Sequence, residues 1–174
     1  MPKYKQQKVA IKIPKGYSRA ERKAISFDIR QHIVERTKKG FDKNGRRFKG
    51  YTEEYMQSAD FKASGKTSLV NLSLSDEMLE ELKDVKDSDG EIVVGYDGRK
   101  NKLNGKVEGN RKGTYGQKKS TGKVRDHLGI TKTQLNNILA NYPLDDPDRR
   151  AEALEIFELA RSRARDIGVD VGDE

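Results

Sequence analysis

The spacing of apolar residues predicts a long helix near the start of the chain. Isoleucines at every fourth position would share one face of this helix: Ile25, Ile29 and Ile33. Ser18 and Glu21 form a capping box, in which each side chain satisfies the backbone amide of the other residue. We therefore predict a helix over residues 18–39 that ends at Gly40.

Alternating apolar and polar positions predict a small antiparallel sheet further along. Residues 67–74 place Val70, Leu72 and Leu74 on one side, which is the pattern of a half-buried strand. A short helix from Ser75 and a turn at residues 87–90 separate it from a second apolar strand, residues 91–96. Because so short a connection favours antiparallel pairing, the predicted fold class is α+β, with one long N-terminal helix, extended arms and loops, and C-terminal helices.

Both ends of the chain carry further elements. Residues 1–17 form a basic N-terminal arm whose Val9, Ile11 and Ile13 alternate with lysines, so the segment is either an edge strand or flexible. A second capping box starts a helix at Thr131. A last helix starts at Pro147 and ends before Gly168; its apolar face either completes the core or packs on a partner. We divide the chain into the arm, an α+β domain over residues 18–142, and a C-terminal helix with a polar tail over residues 143–174.

Composition limits the size of the core. The chain has 174 residues, of which 33% are hydrophobic and 37% are charged, so a small core with exposed or partner-bound segments is expected. Cysteine is absent, which excludes disulfides and thiol chemistry. Without a signal-like or membrane-length apolar run, the chain is expected to be made in a cytoplasm and to contact no membrane.

The charge alternates in sign along the chain. Residues 1–50 carry a net +12, residues 51–100 a net −6, residues 101–150 a net +6, and residues 151–174 a net −4. Blocks of opposite sign could pair between identical subunits, and the basic N-terminal third could equally lie near phosphate.

An aromatic-rich segment, residues 40–66, is predicted to be an extended arm with a turn at residues 42–45. Its aromatic residues follow neither a helical nor a strand period throughout: Phe41, Phe48, Tyr51, Tyr55 and Phe61. Aromatic side chains on an extended charged segment need a surface, either on their own domain or on a neighbouring subunit. We predict these five as candidate subunit-interface residues.

Residues 97–123 are rich in Gly, Asn and Lys and are predicted to be a loop that orders on assembly or a solvated hairpin. The segment lacks the order of a P-loop, and Gly65-Lys66-Thr67 has Asp60 where that motif requires glycine. Eight cations lie in this loop: Arg99, Lys100, Lys102, Lys106, Arg111, Lys112, Lys118 and Lys119.

Catalytic and metal-binding patterns are not evident. His32 and His127 stand apart from other potential ligands, so His32 is predicted to be structural and His127 to be structural or solvated. The acidic pairs at residues 53–54 and 145–146 are sequence neighbours without an accompanying nucleophile or histidine. The prediction is therefore a protein that is not an enzyme and binds no cofactor.

Three groups of residues resemble the neck and tail-completion proteins of tailed bacteriophages, a virion-morphogenesis family. The first is the pattern R-T-x-x-G-x-D-x-x-G-x-x-F: Arg36, Thr37, Gly40, Asp42, Gly45 and Phe48. The second is the predicted strand and short helix: Val70, Leu72, Leu74, Met78 and Leu79. The third is a closing motif: Arg125, Leu128, Gly129 and Ile130. His127 departs from the family pattern, which has an aromatic residue there.

The resemblance implies a structural protein that forms an oligomeric ring at the head–tail junction of a virion. Its implied partners are copies of itself, portal, connector or tail-tube proteins, and the packaged DNA that passes through the channel. The eight cations of residues 97–123 are then candidate lumen-facing or DNA-facing residues. Neck-ring, connector and tail-terminator roles all fit. The alternative is a basic nucleic-acid-binding protein that grips phosphates through its N-terminal arm and the loop of residues 97–123.

Overall fold

A computed structural model describes residues 4–63, 65, 70, 77–114 and 123–166. Within these residues the chain combines seven helices with a three-stranded antiparallel sheet, an α+β fold. The elements in chain order are β1 (Lys8–Lys12), α1 (Arg19–Lys38), α2 (Glu53–Gln57), α3 (Ala59–Ala63), α4 (Glu77–Glu80), β2 (Lys83–Ser88), β3 (Glu91–Gly95), α5 (Asn101–Lys112), α6 (Lys132–Leu139) and α7 (Pro147–Asp166). Each of the described helices is too short or too polar to cross a lipid bilayer.

The sheet has the strand order β1-β3-β2, with both neighbours antiparallel to β3. The N-terminal segment thus contributes an edge strand, one of its two predicted alternatives. A tight turn at Asp89 and Gly90 joins β2 to β3, as the turn prediction for residues 87–90 requires. The alternating pattern did not predict β2, because its sequence KDVKDS has a single apolar residue. The strand predicted over residues 67–74 lies outside the described residues, except for Val70, which is buried.

The core lies between α1 and the sheet. The apolar face of α1 is fully buried through Ala24, Ile25, Ile29 and Ile33. The central strand and the residue after it contribute a second fully buried row: Ile92, Val94 and Tyr96. The short helix α4 supplies buried Met78 and Leu79 to the same cluster. Both capping boxes, at Ser18 and at Thr131, are confirmed.

The loop prediction for residues 97–123 is wrong for its first half, which forms α5. The helix is stabilised by tertiary contacts that its composition does not reveal. Asn104 is fully buried, donates to the carbonyl oxygens of Asp97 and Lys100, and accepts from the amide of Gln7 at 2.7 Å. Gly105 lies against the Tyr4 ring, where a Cβ would come within 2.7 Å of a ring carbon. Residues 115–122 lie outside the described part of the chain.

The segment of residues 40–66 is not extended throughout, because it contains α2 and α3. Its predicted turn is confirmed: the Asp42 carboxylate accepts from the amides of Asn44 and Arg46, and Gly45 has a φ of +77°. Near the C-terminus, Asp146 caps α7 by accepting from the amide of Arg149 at 3.0 Å. The predicted polar tail, residues 168–174, lies outside the described part.

Candidate assembly site

The first motif segment, residues 36–48, forms the end of α1 and a tight turn. Gly40 ends the helix with a φ of +85°, a left-handed conformation that favours glycine. The Phe48 amide donates to the Gly40 carbonyl oxygen at 2.8 Å, and the Phe48 side chain is buried in the core. Thr37 is fully buried, and its hydroxyl donates to the Ile33 carbonyl oxygen. The spacing of the motif is therefore the spacing of one helix end and one turn.

The closing motif, residues 125–130, packs against this turn. Nη2 of Arg36 donates to the carbonyl oxygen of His127 at 2.6 Å, across 91 positions of sequence. The Lys43 amide donates to the Asp126 carbonyl oxygen at 2.8 Å. A Cβ at Gly129, whose φ is +148°, would approach the Lys43 side chain to 3.2 Å. We call this contact between residues 36–48 and residues 125–130 the motif junction.

Buried charge holds the motif junction together. Burial lowers the pKa of Arg36 to about 10, so its guanidinium remains charged at neutral pH. Nη1 of Arg36 donates to Oε1 of Gln134 at 3.3 Å, which connects the motif junction to α6. The Asp126 carboxylate accepts from Lys43 at 2.8 Å and from Arg111 of α5 at 2.9 Å. These groups are partly or wholly shielded from water. Breaking their interactions would therefore lower the free energy of unfolding more than breaking exposed ion pairs would.

His127 has a structural position, one of its two predicted alternatives. Its ring is fully buried, and Nε2 lies 2.9 Å from the hydroxyl of Tyr96. Burial lowers the pKa of His127 to about 4, so the ring is neutral at physiological pH. Burial also raises the pKa of Tyr96 above its ordinary value, which keeps the phenol protonated. The two rings form a neutral, hydrogen-bonded pair beneath the motif junction.

This burial predicts a loss of stability on acidification. The pKa of His127 is lower in the folded chain than in the unfolded chain, where it is about 6.5, so protons bind preferentially to the unfolded state. Above about pH 6.5 the free energy of unfolding should not depend on His127. Below it, that free energy should fall by up to about 1.4 kcal/mol per pH unit, until the pH reaches about 4.

Urea unfolding between pH 7.5 and 5 measures this slope in the wild-type chain and in His127→Gln. The amide nitrogen of glutamine can take the place of Nε2 but does not titrate, so the variant should show a shallower slope. His32, whose pKa burial also lowers, is common to both proteins and cancels in the difference. Equal pH slopes in the two proteins would contradict a buried, neutral His127 in the folded chain.

The five predicted interface aromatics have two different environments. Phe48 and Phe61 are buried within the chain, with 8% and 9% of their surface exposed. Phe41, Tyr51 and Tyr55 are half-buried. Tyr51, Tyr55 and Phe61 form a cluster in which every pair of ring centroids is 5.4 Å apart. The Arg125 guanidinium lies 5.1 Å from the Tyr51 centroid, and that of Arg47 lies 5.1 Å from the Phe41 centroid.

The aromatic cluster therefore borders the motif junction, because Arg125 belongs to the closing motif. The structure gives Phe48 and Phe61 an intrachain role and leaves part of Phe41, Tyr51 and Tyr55 accessible. Aromatic and arginine side chains are the types enriched at protein interfaces. Of the predicted interface residues, these three are the ones whose exposed surface a partner could cover.

Six of the eight predicted DNA-facing cations lie on α5 or just before it, and several of these are neutralised locally. Arg99 pairs with Asp97 at 2.9 Å, and Arg111 pairs with Asp126. Lys100 pairs with Glu81, and Lys112 pairs with Glu108. For Lys102 and Lys106, one helical turn apart and exposed, no ion pair is present among the described residues. Lys118 and Lys119 lie outside the described part of the chain.

Asp126, Gln134 and Tyr96 are site residues that the sequence did not single out, because only the tertiary fold brings them to the motif junction. Among the residues described, no three His, Asp or Glu side chains are grouped so that they could hold a metal ion.

No protein-family model matches the chain, and neither a curated protein nor a solved structure shows significant similarity to it.

Proposed function

We propose that the chain is a structural subunit of a ring at the head–tail junction of a tailed-bacteriophage virion. The observation that carries the proposal is the motif junction. Two of the sequence groups that resemble neck and tail-completion proteins meet there, although Arg36 and His127 are 91 positions apart. Motif residues that are distant in sequence are expected to meet in the fold when together they form one structural unit. Residues that match the family pattern only by chance would be scattered over the fold.

The second group is consistent with the same reading. Val70, Met78 and Leu79 belong to the hydrophobic core, where they pack in one cluster with Phe48 and Leu128. All three groups thus contribute to a single body. The surface beside the motif junction, with Phe41, Tyr51, Tyr55 and the exposed Arg47 over the Phe41 ring, is the surface that we assign to contacts between subunits.

Deletion of the reading frame from the phage genome that carries it tests the proposal. We expect filled heads and separate tails in electron micrographs, and joined particles when the wild-type chain is supplied in trans. The Tyr55→Ser variant supplied in trans should not restore the joining of heads to tails. The Tyr55→Phe variant, which keeps the aromatic ring, should restore it. Normally joined particles in the deletion strain would overturn the proposal.

The charge arrangement favours this role over the alternative of an autonomous nucleic-acid-binding protein. Four of the six described cations in the predicted phosphate-binding loop are paired within the chain, so this loop has few cations left to release counterions from DNA. We expect the isolated chain to bind duplex DNA with a dissociation constant weaker than about 10 μM at 150 mM salt. Fluorescence anisotropy between 50 and 200 mM salt measures this affinity, and nanomolar binding would favour the alternative.

A further inference from the structure

The outward face of α7 carries two large apolar residues that are more than half exposed. Ile156 is 63% exposed and Leu159 is 54% exposed, and they account for half of the exposed large hydrophobic residues in the described part of the chain. The opposite face of α7 packs against α1, where the rings of Phe157 and Phe27 lie 5.5 Å apart. Leu159 therefore points away from the core that α7 completes, and Ile156 lies at the outer edge of a groove that Phe27 and Tyr142 also line.

Charged residues flank this apolar pair in a defined order. Glu152, Ile156, Leu159 and Arg163 are spaced by four, three and four residues, so they form one stripe along the helix. We call these four residues the α7 stripe. Glu152 and Arg163 are exposed, and neither forms an ion pair with another described residue. Ala160 lies beside the stripe and is also exposed, which leaves room for a second helix to approach closely.

The α7 stripe is complementary to itself when two copies lie antiparallel. A two-fold axis passing between residues 157 and 158 places Ile156 opposite Leu159 of the second copy, and Glu152 opposite its Arg163. The spacing matches the alternating three- and four-residue spacing of a coiled-coil seam. A parallel pair would instead oppose Glu152 to Glu152 and Arg163 to Arg163. Like charges would then face each other at both ends.

We infer that α7 is a homotypic docking surface, through which two copies of this chain associate as an antiparallel helix pair. The contact is isologous and closes at two subunits, so it is distinct from the head-to-tail contacts of a ring and does not depend on the proposed function. One helix pair buries less than the roughly 1,200 Å² of a standard stable interface. The dimer is accordingly weak, with a dissociation constant on the order of 100 μM.

Sedimentation of the full chain up to about 1 mM tests the association. Leu159→Asp should weaken it at least about tenfold, because a carboxylate would replace a buried apolar contact. Val124→Asp is the matched control: Val124 is 48% exposed but lies outside α7, and the dissociation constant should not change. A wild-type chain that stays monomeric throughout, or equal weakening by both variants, would overturn the inference.

Cysteine cross-linking tests the orientation, because the natural chain contains no cysteine. In an antiparallel pair, Glu152→Cys faces Arg163→Cys of the other copy, while two copies of one variant hold their thiols about 16 Å apart along the axis. We expect a disulfide when the two variants are mixed and none in either variant alone, since a disulfide requires Cα atoms within about 7 Å. Disulfides within the single variants would show a parallel pair and overturn the inference.

Discussion

Replacing Gly95 with alanine is expected to lower the free energy of unfolding by about 2–4 kcal/mol. Gly95 lies at the end of β3, opposite Lys8 of β1. A Cβ there would lie 2.5 Å from the carbonyl oxygen of Gln7 and 2.7 Å from Cα of Lys8. Both are backbone atoms, so no side-chain rotation relieves the clash, and β1 itself must move.

The displacement of β1 would also disturb the hydrogen bond from the Tyr96 amide to the Gln7 carbonyl oxygen, which is 3.0 Å long. Thermal and urea unfolding measure the loss. The matched control is Gly50→Ala, because nothing lies within 4 Å of a Cβ at Gly50; it should change stability by less than about 0.5 kcal/mol. Equal stability of the two variants would show that β1 is not held against β3 as described.

Replacing Arg36 with methionine is expected to cost about 2–4 kcal/mol. Methionine keeps the apolar stem but removes the donor to His127, and the carbonyl oxygen of His127 would then be buried without that bond. The closing motif would also lose its connection to α6 through Gln134. Since typical domains are stable by only about 5–15 kcal/mol, the change is a substantial part of the total.

Urea unfolding measures the global effect, and amide hydrogen exchange localises it. The Lys43 amide, which donates to Asp126 across the motif junction, should lose protection more than the amides of β3. Arg46→Met is the control, because Arg46 is exposed in the same turn; its stability should stay within about 0.5 kcal/mol of wild type. Unchanged protection at Lys43 in the Arg36 variant would contradict the role given to the guanidinium.

Sequence reasoning succeeded where a few adjacent residues determine the structure. The capping boxes at Ser18 and Thr131 and the turn at Asp42 rest on hydrogen bonds between residues two to four positions apart. The buried isoleucine face of α1 follows from a single periodicity. Such features need no knowledge of the remainder of the chain.

Sequence reasoning failed where distant residues determine the structure. The strand β2 is almost entirely polar, and α1 holds it by ion pairs: Arg30 with Asp84 at 3.1 Å, and Arg22 with Asp87 at 3.3 Å. The helix α5 contains glycines that disfavour helices, yet Gly105 is where the Tyr4 ring packs. These contacts come from residues more than fifty positions away, which no local pattern reveals. The pairing of β2 with β3 across the tight turn is the one local contribution.

The motif junction lies between these two cases. The motifs themselves were visible in the sequence, and their local meaning as a helix end and a turn was predictable for Gly40 and Gly45. Their meeting was not predictable, because Asp126 and Gln134 carried no pattern that connected them to Arg36. The aromatic composition of residues 40–66 was likewise visible in the sequence. The packing of Tyr51, Tyr55 and Phe61 on one another was not predictable from it.

The proposed function assigns this chain to a tailed phage, and electron cryo-microscopy of purified virions of that phage tests the proposal most directly. The account predicts several copies of the described fold in a closed ring between the portal and the tail, with the surface of Phe41, Tyr51 and Tyr55 against a neighbouring subunit. Complete virions whose head–tail junction contains no copy of this chain would contradict it.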